Sequence, residues 1–201
     1  MKKLSALPLL LAVLLFSCSS DKTDNTTATT VTDSVKATPS TQGNVQDTGK
    51  TTTTPATTAD NATVDFVTKA ANAGMMEVTL GKVAAEKAKD QKVKDFGNMM
   101  VTDHTKANDE LKGLAATKNI PMPSAMDAEH QMHVDMLSKK SGADFDKAYM
   151  DMMVKGHTNV RNEFKTASET LKDNDIKGFA ARTLPVIEKH LDAAKAIAAH
   201  K

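Results

Sequence analysis

The stretch DFDKAYMDMMVKGHTNVRNEFKTASETL, residues 144–171, decides the fold. Its apolar side chains recur every three or four positions, at Phe145, Tyr149, Met153, Val160, Phe164, Ala167 and Leu171. This period is typical of an amphipathic helix with one face in a core. Asp144 is placed to cap its first turn. A helix of this length and pattern needs partner helices to cover its apolar face.

Three other segments of similar length carry the same pattern. They are residues 63–89, residues 91–117 and the segment after the turn at residues 173–175. A shorter amphipathic segment, residues 127–139, follows a break with two prolines. Short connections within the first and last pairs favour antiparallel hairpins. We therefore predict an all-α fold over residues 60–201, an up-down four-helix bundle with a short extra helix between the second and third long helices.

The N-terminus predicts export. Lys2 and Lys3 precede a mostly apolar run, residues 4–16, which is shorter than the about 20 residues that a membrane span needs. Ser17 and Cys18 end the run and resemble the lipobox of bacterial lipoproteins, in which the cysteine is acylated and becomes the first residue of the mature chain. An ordinary signal peptide followed by a chance cysteine is the alternative. Cys18 is the only cysteine, so an internal disulfide is excluded, and acylation accounts for its presence.

The segment after Cys18 is rich in Thr, Ser, Asp and Asn and almost free of apolar residues. Such a composition predicts disorder, because little surface can be buried to offset chain entropy. We thus expect a signal peptide at residues 1–17, a tether at residues 18–59 and the bundle at residues 60–201. The protein is expected on the outer membrane, a destination that Ser19 and Ser20 favour, facing the periplasm or the cell exterior.

Charge excludes one class of partner. The chain has 26 basic and 25 acidic residues, and the balance stays near zero once Lys2 and Lys3 are removed with the signal. No basic face is implied, so nucleic acid is not expected as a partner. The acylated Cys18 is expected to bind the membrane.

Four residues with metal-ligating side chains fall on the apolar faces of the long helices. They are Glu77, His104, His157 and His190. Counted from the turn at Asp90, the first two stand 13 residues before and 14 after. Counted from the turn at residue 173, the last two stand 16 before and 17 after. At about 1.5 Å per residue the heights within each pair differ by about 1.5 Å, so the four should meet in one layer.

Two interpretations of this layer stay open. Three neutral imidazoles and one carboxylate suit a single divalent ion such as zinc, iron, manganese or copper. Alternatively, Glu77 holds one or two imidazoles in a buried hydrogen-bonded network without a cofactor, and the third imidazole meets a hydroxyl or a water. Asp103 lies beside the face of its helix and is a candidate to orient a metal-binding histidine, or else a boundary charge.

A second cluster surrounds the short helix. Met126, His130 and His133 combine a thioether with imidazoles three residues apart, a set that favours copper. The alternative is that the methionines here, including Met132 and Met136, pack the short helix onto the bundle.

Four ordered blocks resemble a family of exported bacterial proteins. The blocks are GMMEV at residues 74–78 with Leu80 and Gly81, MVTDH at 100–104 with Asn108, FDKAYM at 145–150 with His157, and LP at 184–185 with His190 and Leu191. The family is a domain of unknown function, often labelled as outer membrane proteins and placed among ferritin-like folds. The resemblance covers about residues 64–199 and implies a ferritin-like four-helix bundle without an established activity.

The chain departs from true di-iron ferritin-like proteins, which carry Glu-x-x-His on two helices. The residues three before the layer histidines are Val101, Val154 and Ile187, so a dinuclear ferroxidase is not expected. Two functions remain: a metal-binding envelope protein, and a non-catalytic structural or interaction module with a buried Glu/His layer. The lack of a catalytic set favours the second and argues against an enzyme.

Overall fold

The computed structural model describes residues 59–200, which form five helices and no β-strand. The helices are α1 (Asn61–Lys87), α2 (Gln91–Thr117), α3 (Ala128–Ser138), α4 (Gly142–Thr170) and α5 (Asn174–Ala198). The predicted all-α fold, with a short helix between the second and third long ones, is confirmed. The predicted signal peptide, Cys18 and nearly all of the tether lie outside the described residues.

Aspartates begin four of the five helices. Asp60, Asp90, Asp127 and Asp173 each accept a hydrogen bond from a backbone N–H of the first turn, which has no partner within the helix. The prediction that Asp144 caps α4 is wrong. The helix begins two residues earlier, at Gly142, after Ser141, whose side chain makes no capping bond.

The four long helices pack as two hairpins. The most extensive interfaces join α1 to α2 and α4 to α5, and the hairpins meet through α2 with α5 and α1 with α4. Helices α1 and α2 approach closely at Gly81 and Gly97: a Cβ on Gly81 would lie 2.6 Å from the Gly97 carbonyl oxygen. These contacts support the predicted four-helix bundle.

Helix α3 lies mainly against α1 and touches α4. Val134 and Leu137 are buried, and the Asn72 side chain accepts a hydrogen bond from the Asp127 backbone N–H at 2.9 Å. Met132 and Met136 are 59% and 47% exposed. The prediction that these two methionines pack α3 onto the bundle is therefore wrong, because α3 turns a different face to α1.

The buried core is divided in two. One apolar cluster includes Phe96, Tyr149 and Met153, and the other includes Leu111 and Phe164. Along α2 and α4, the residues between the two clusters are those that carry buried histidines. A polar layer thus interrupts the core near the middle of the bundle. Within residues 59–200, no helix is both long and apolar enough to cross a membrane.

Candidate metal centre

One residue from each long helix reaches the polar layer. Glu77 comes from α1, His104 from α2, His157 from α4 and His190 from α5, and their exposed fractions are 2%, 8%, 0% and 0%. The structure therefore brings together the four side chains that residue counting placed at one height. Because the rise per residue is fixed and the connecting turns are short, the number of residues from the turn sets the height of each side chain along the bundle.

Glu77 contacts two of the three histidines, and the three imidazoles lie close to one another. Oε2 of Glu77 lies 2.8 Å from Nε2 of His104, and Oε1 of Glu77 lies 3.5 Å from Nδ1 of His157. The three imidazole centroids are 5.2 to 5.9 Å apart. One ring nitrogen from each histidine lies within 4.8 Å of the corresponding nitrogen in the other two.

Two of the imidazoles are oriented from outside the layer. Nδ1 of His157 lies 3.0 Å from the Met153 carbonyl oxygen, and Nε2 of His190 lies 2.9 Å from Oδ2 of Asp103. A carbonyl or a carboxylate oxygen only accepts, so these nitrogens carry the proton in the neutral rings. The opposite nitrogens, Nε2 of His157 and Nδ1 of His190, then hold lone pairs. Asp103 thus makes the contact expected of a residue that orients a ligand.

These lone pairs have no partner. Nε2 of His157 and Nδ1 of His190 are buried without a hydrogen bond, and the approach of His104 Nε2 to Glu77 Oε2 lacks hydrogen-bond geometry. A buried polar atom left unsatisfied costs about 1–3 kcal/mol. A self-contained network would pair the lone pairs of His157 and His190, and the described residues do not.

Burial and neighbouring charges shift the pKa values of His104 and His190 in opposite directions. Burial alone would raise the pKa of Glu77, but the charges of His104, His157 and His190 more than offset it and lower that pKa to about 2. Burial lowers the pKa of His104, yet the Glu77 carboxylate outweighs it, and the net change is upward. For His190 burial dominates and lowers the pKa to about 4, although Asp103 opposes it. The layer therefore holds a carboxylate paired with His104 and a neutral His190.

The three imidazoles fit one first-row divalent ion, and Glu77, which contacts His104 and His157, is not part of their 4.8 Å group. Nitrogens bound at about 2.0–2.1 Å to a tetrahedral metal lie about 3.4 Å apart, so small ring rotations within the 4.8 Å cluster suffice. Imidazole and carboxylate suit zinc, iron or manganese, and the thiolate or thioether that selects copper(I) is missing from the layer. Val101, Val154 and Ile187 supply no carboxylate for a second ion.

The candidate copper ligands Met126, His130 and His133 have different surroundings from the layer histidines. Nδ1 of His130 lies 2.8 Å from Oδ1 of Asp127, the residue that also caps α3. Met126 packs against the apolar cluster around Phe96. Nδ1 of His133 is buried without a hydrogen bond. Among residues 59–200, the one convergence of three or more His, Cys, Asp or Glu side chains suited to a metal is that of the layer histidines.

Sequence reasoning missed the space beside the layer. A cavity of about 20 Å³ adjoins Glu77, His104 and Asn108, enough for about one water molecule. The Asn108 side chain lies directly over Gly74, where a Cβ would be 2.0 Å from Asn108 Oδ1. The spacing of Asn108, four residues after His104, was the available indication that the two share a helix face.

A family model described as a domain of unknown function, DUF4142, matches residues 48–197, and the chain belongs to that family. The resemblance inferred from the four sequence blocks is thereby confirmed at the level of an uncharacterised family. No curated protein and no solved structure matches the chain.

Proposed function

We propose that this member of the DUF4142 family binds a single divalent transition-metal ion in the layer formed by Glu77, His104, His157 and His190. One observation carries the proposal: His157 and His190 hold buried lone pairs without a hydrogen bond, while the opposite ring nitrogens are fixed by Met153 and Asp103. Metal-binding histidines almost always donate their second N–H to a carbonyl or a carboxylate in this manner.

The structural-module hypothesis explains the same layer less well. A module without a metal would bury several polar atoms that gain no hydrogen bond, at about 1–3 kcal/mol for each. Apolar residues at His157 and His190 would then serve the core better. A bound cation converts these unsatisfied lone pairs into ligand bonds, so it accounts for polar residues at four core positions.

The metal site favours hard or borderline ions. The ligands are imidazole nitrogens and a carboxylate oxygen, which favour zinc, iron(II) or manganese(II) over copper(I). When bound, the ion would supply Lewis acidity and, if it is iron or manganese, one-electron redox chemistry. The chain holds the ion away from bulk water, since three of the four side chains are at most 2% exposed.

We further propose that the protein works as a lipid-anchored component of the bacterial envelope. The support is sequence alone: Lys2 and Lys3, the apolar run and the lipobox-like Cys18. Metabolic labelling with a fatty acid should mark the wild-type protein and not Cys18→Ser. Equal labelling of both would contradict the anchor and leave the metal site untouched.

Elemental analysis tests the metal site. The protein should be purified without affinity tag or chelator and then equilibrated separately with zinc, manganese(II) and anaerobic iron(II). We expect about one ion per chain for at least one metal, and its loss in His157→Leu and His190→Leu. His200→Leu, outside the layer, is the matched control and should retain the ion. A wild type that stays metal-free under every condition, or layer variants that keep full occupancy, would overturn the proposal.

A further inference from the structure

A surface groove leads to one edge of the layer. It has a volume of about 680 Å³, lies between α1, α3 and α4, and includes Glu77 among its lining residues. Glu77, Ala73 and Val160 line both this groove and the small internal cavity beside His104. Glu77 is otherwise buried, and its carboxylate lies 2.8 Å from Nε2 of His104. A buried carboxylate of the layer therefore lies where the groove meets the interior.

The groove walls carry an excess of negative charge. Five carboxylates line it against two lysines, Lys69 and Lys155. The carboxylates belong to Glu77, Asp127, Glu129, Asp151 and Glu163. A cleft lined mainly by one sign of charge concentrates ions of the opposite sign and raises their association rate. His130 and His133 also line the groove, and neutral imidazole is a common ligand of divalent transition metals.

Gly156 keeps the wall of the groove open. A Cβ built on this residue meets no atom within 4 Å, although the residue lies in the middle of α4, next to His157. Glycine in a helix interior costs about 0.5–1 kcal/mol relative to alanine. Position 156 thus tolerates a side chain sterically, and because Gly156 lines the groove, a large side chain there is expected to narrow it.

We infer that this groove is the route by which a hydrated divalent cation enters and leaves the layer, and that Glu77 is the first layer ligand it meets. The inference rests on the proposed metal site. It gives Gly156 of α4 the role of keeping the groove open, and it gives the acidic residues around α3 and α4 the role of attracting the cation. None of these residues belongs to the layer itself.

Blocking the groove tests the route. Association of cobalt(II) or zinc should be followed by stopped flow, and dissociation by transfer to a chelator, for wild type, Gly156→Ala and Gly156→Phe. The Gly156→Phe variant should slow both rates at least tenfold while leaving stoichiometry and equilibrium affinity nearly unchanged, because the added ring obstructs the path and not the site. The Gly156→Ala variant should show a much smaller effect. The matched control is Gly113→Phe, since Gly113 also has no atom within 4 Å of a built Cβ and lies on α2, outside the groove.

A charge-reversal variant provides a second test of the entry route. Glu163→Lys should lower the association rate several-fold at low salt, and the difference should shrink as ionic strength rises. Glu188→Lys, an equal change of net charge on an exposed position of α5, should not. Unchanged rates in both Gly156→Phe and Glu163→Lys would overturn the route while leaving the metal site in place. A wild type that binds no metal would overturn both, and thermal melts of each variant identify any that misfold.

Discussion

Oδ2 of Asp103 lies 2.9 Å from Nε2 of His190 and joins α2 to α5 at the edge of the polar layer. His190 is fully buried, whereas the side chain of Asp103 is 34% exposed. The carboxylate therefore holds a buried imidazole from a position that water still reaches. Because Nε2 donates to this carboxylate, the lone pair of the neutral His190 ring lies on Nδ1, which is buried without a hydrogen bond.

Removing this carboxylate should weaken metal binding without abolishing it. In Asp103→Ala, His190 loses the partner that fixes its tautomer, and affinity should fall about 10–100-fold with stoichiometry retained. Competitive titration against a chromophoric chelator measures the change. Asp109→Ala, an exposed aspartate on the same helix, is the control. Similar losses in both variants would show a general charge effect instead.

Metal should stabilise the wild-type protein and not a layer variant. At a free metal concentration of about 100 times Kd, binding adds about 2.7 kcal/mol to the free energy of unfolding. The melting temperature should then rise by several degrees in the wild type. His157→Leu should lose this rise, and its metal-free form should melt at or above the wild-type temperature because a buried unsatisfied nitrogen is removed. A strongly destabilised metal-free variant would instead favour a structural network.

Acid should destabilise the metal-free protein from about pH 6.5 downward. His190 has a pKa lowered to about 4 from an ordinary value of 6.5, chiefly by burial. Between these pH values the unfolded chain binds a proton that the folded chain does not. The free energy of unfolding therefore decreases as the pH decreases, by up to about 3 kcal/mol. His104, whose pKa is raised, is protonated in both states below about pH 6.5 and adds no slope there. The lowered pKa of Glu77 matters only below about 4.5.

Urea unfolding at about pH 7, 5.5 and 4.5 measures this slope. His190→Leu should flatten the part of the slope that belongs to the histidine. A wild type and variant with the same pH profile over this range would contradict the assignment of His190 as a neutral buried ring.

The close crossing of α1 and α2 should not tolerate a methyl group. In Gly81→Ala the added Cβ would approach the Gly97 carbonyl oxygen to 2.6 Å and Val101 Cγ2 to 2.9 Å. Backbone atoms have to move, and such overpacking costs about 1–3 kcal/mol. Gly113→Ala, where the added Cβ meets no atom within 4 Å, should stabilise the helix by about 0.5–1 kcal/mol. Denaturant unfolding compares the two, and equal effects would rule out a steric origin.

The sequence alone determined the helices and the height of the layer. An apolar period of about 3.6 residues defined each long helix, and the fixed rise per residue converted distances from the turns into heights for Glu77, His104, His157 and His190. Both quantities are local properties of the backbone. Residue counting therefore brought the four side chains to one level without knowledge of how the helices pack.

Only the tertiary structure decided which atoms meet. Several features depend on the rotation of each helix about its axis and on how α3 docks. They are the pairing of Asp103 with His190, the buried lone pairs, the groove at Gly156 and the exposure of Met132 and Met136. The start of α4 at Gly142 also escaped sequence reasoning, because Asp144 had the chemistry of a cap but not the position. Helix rotation and docking are set by the summed packing of many side chains on several helices, and no short stretch of sequence contains that sum.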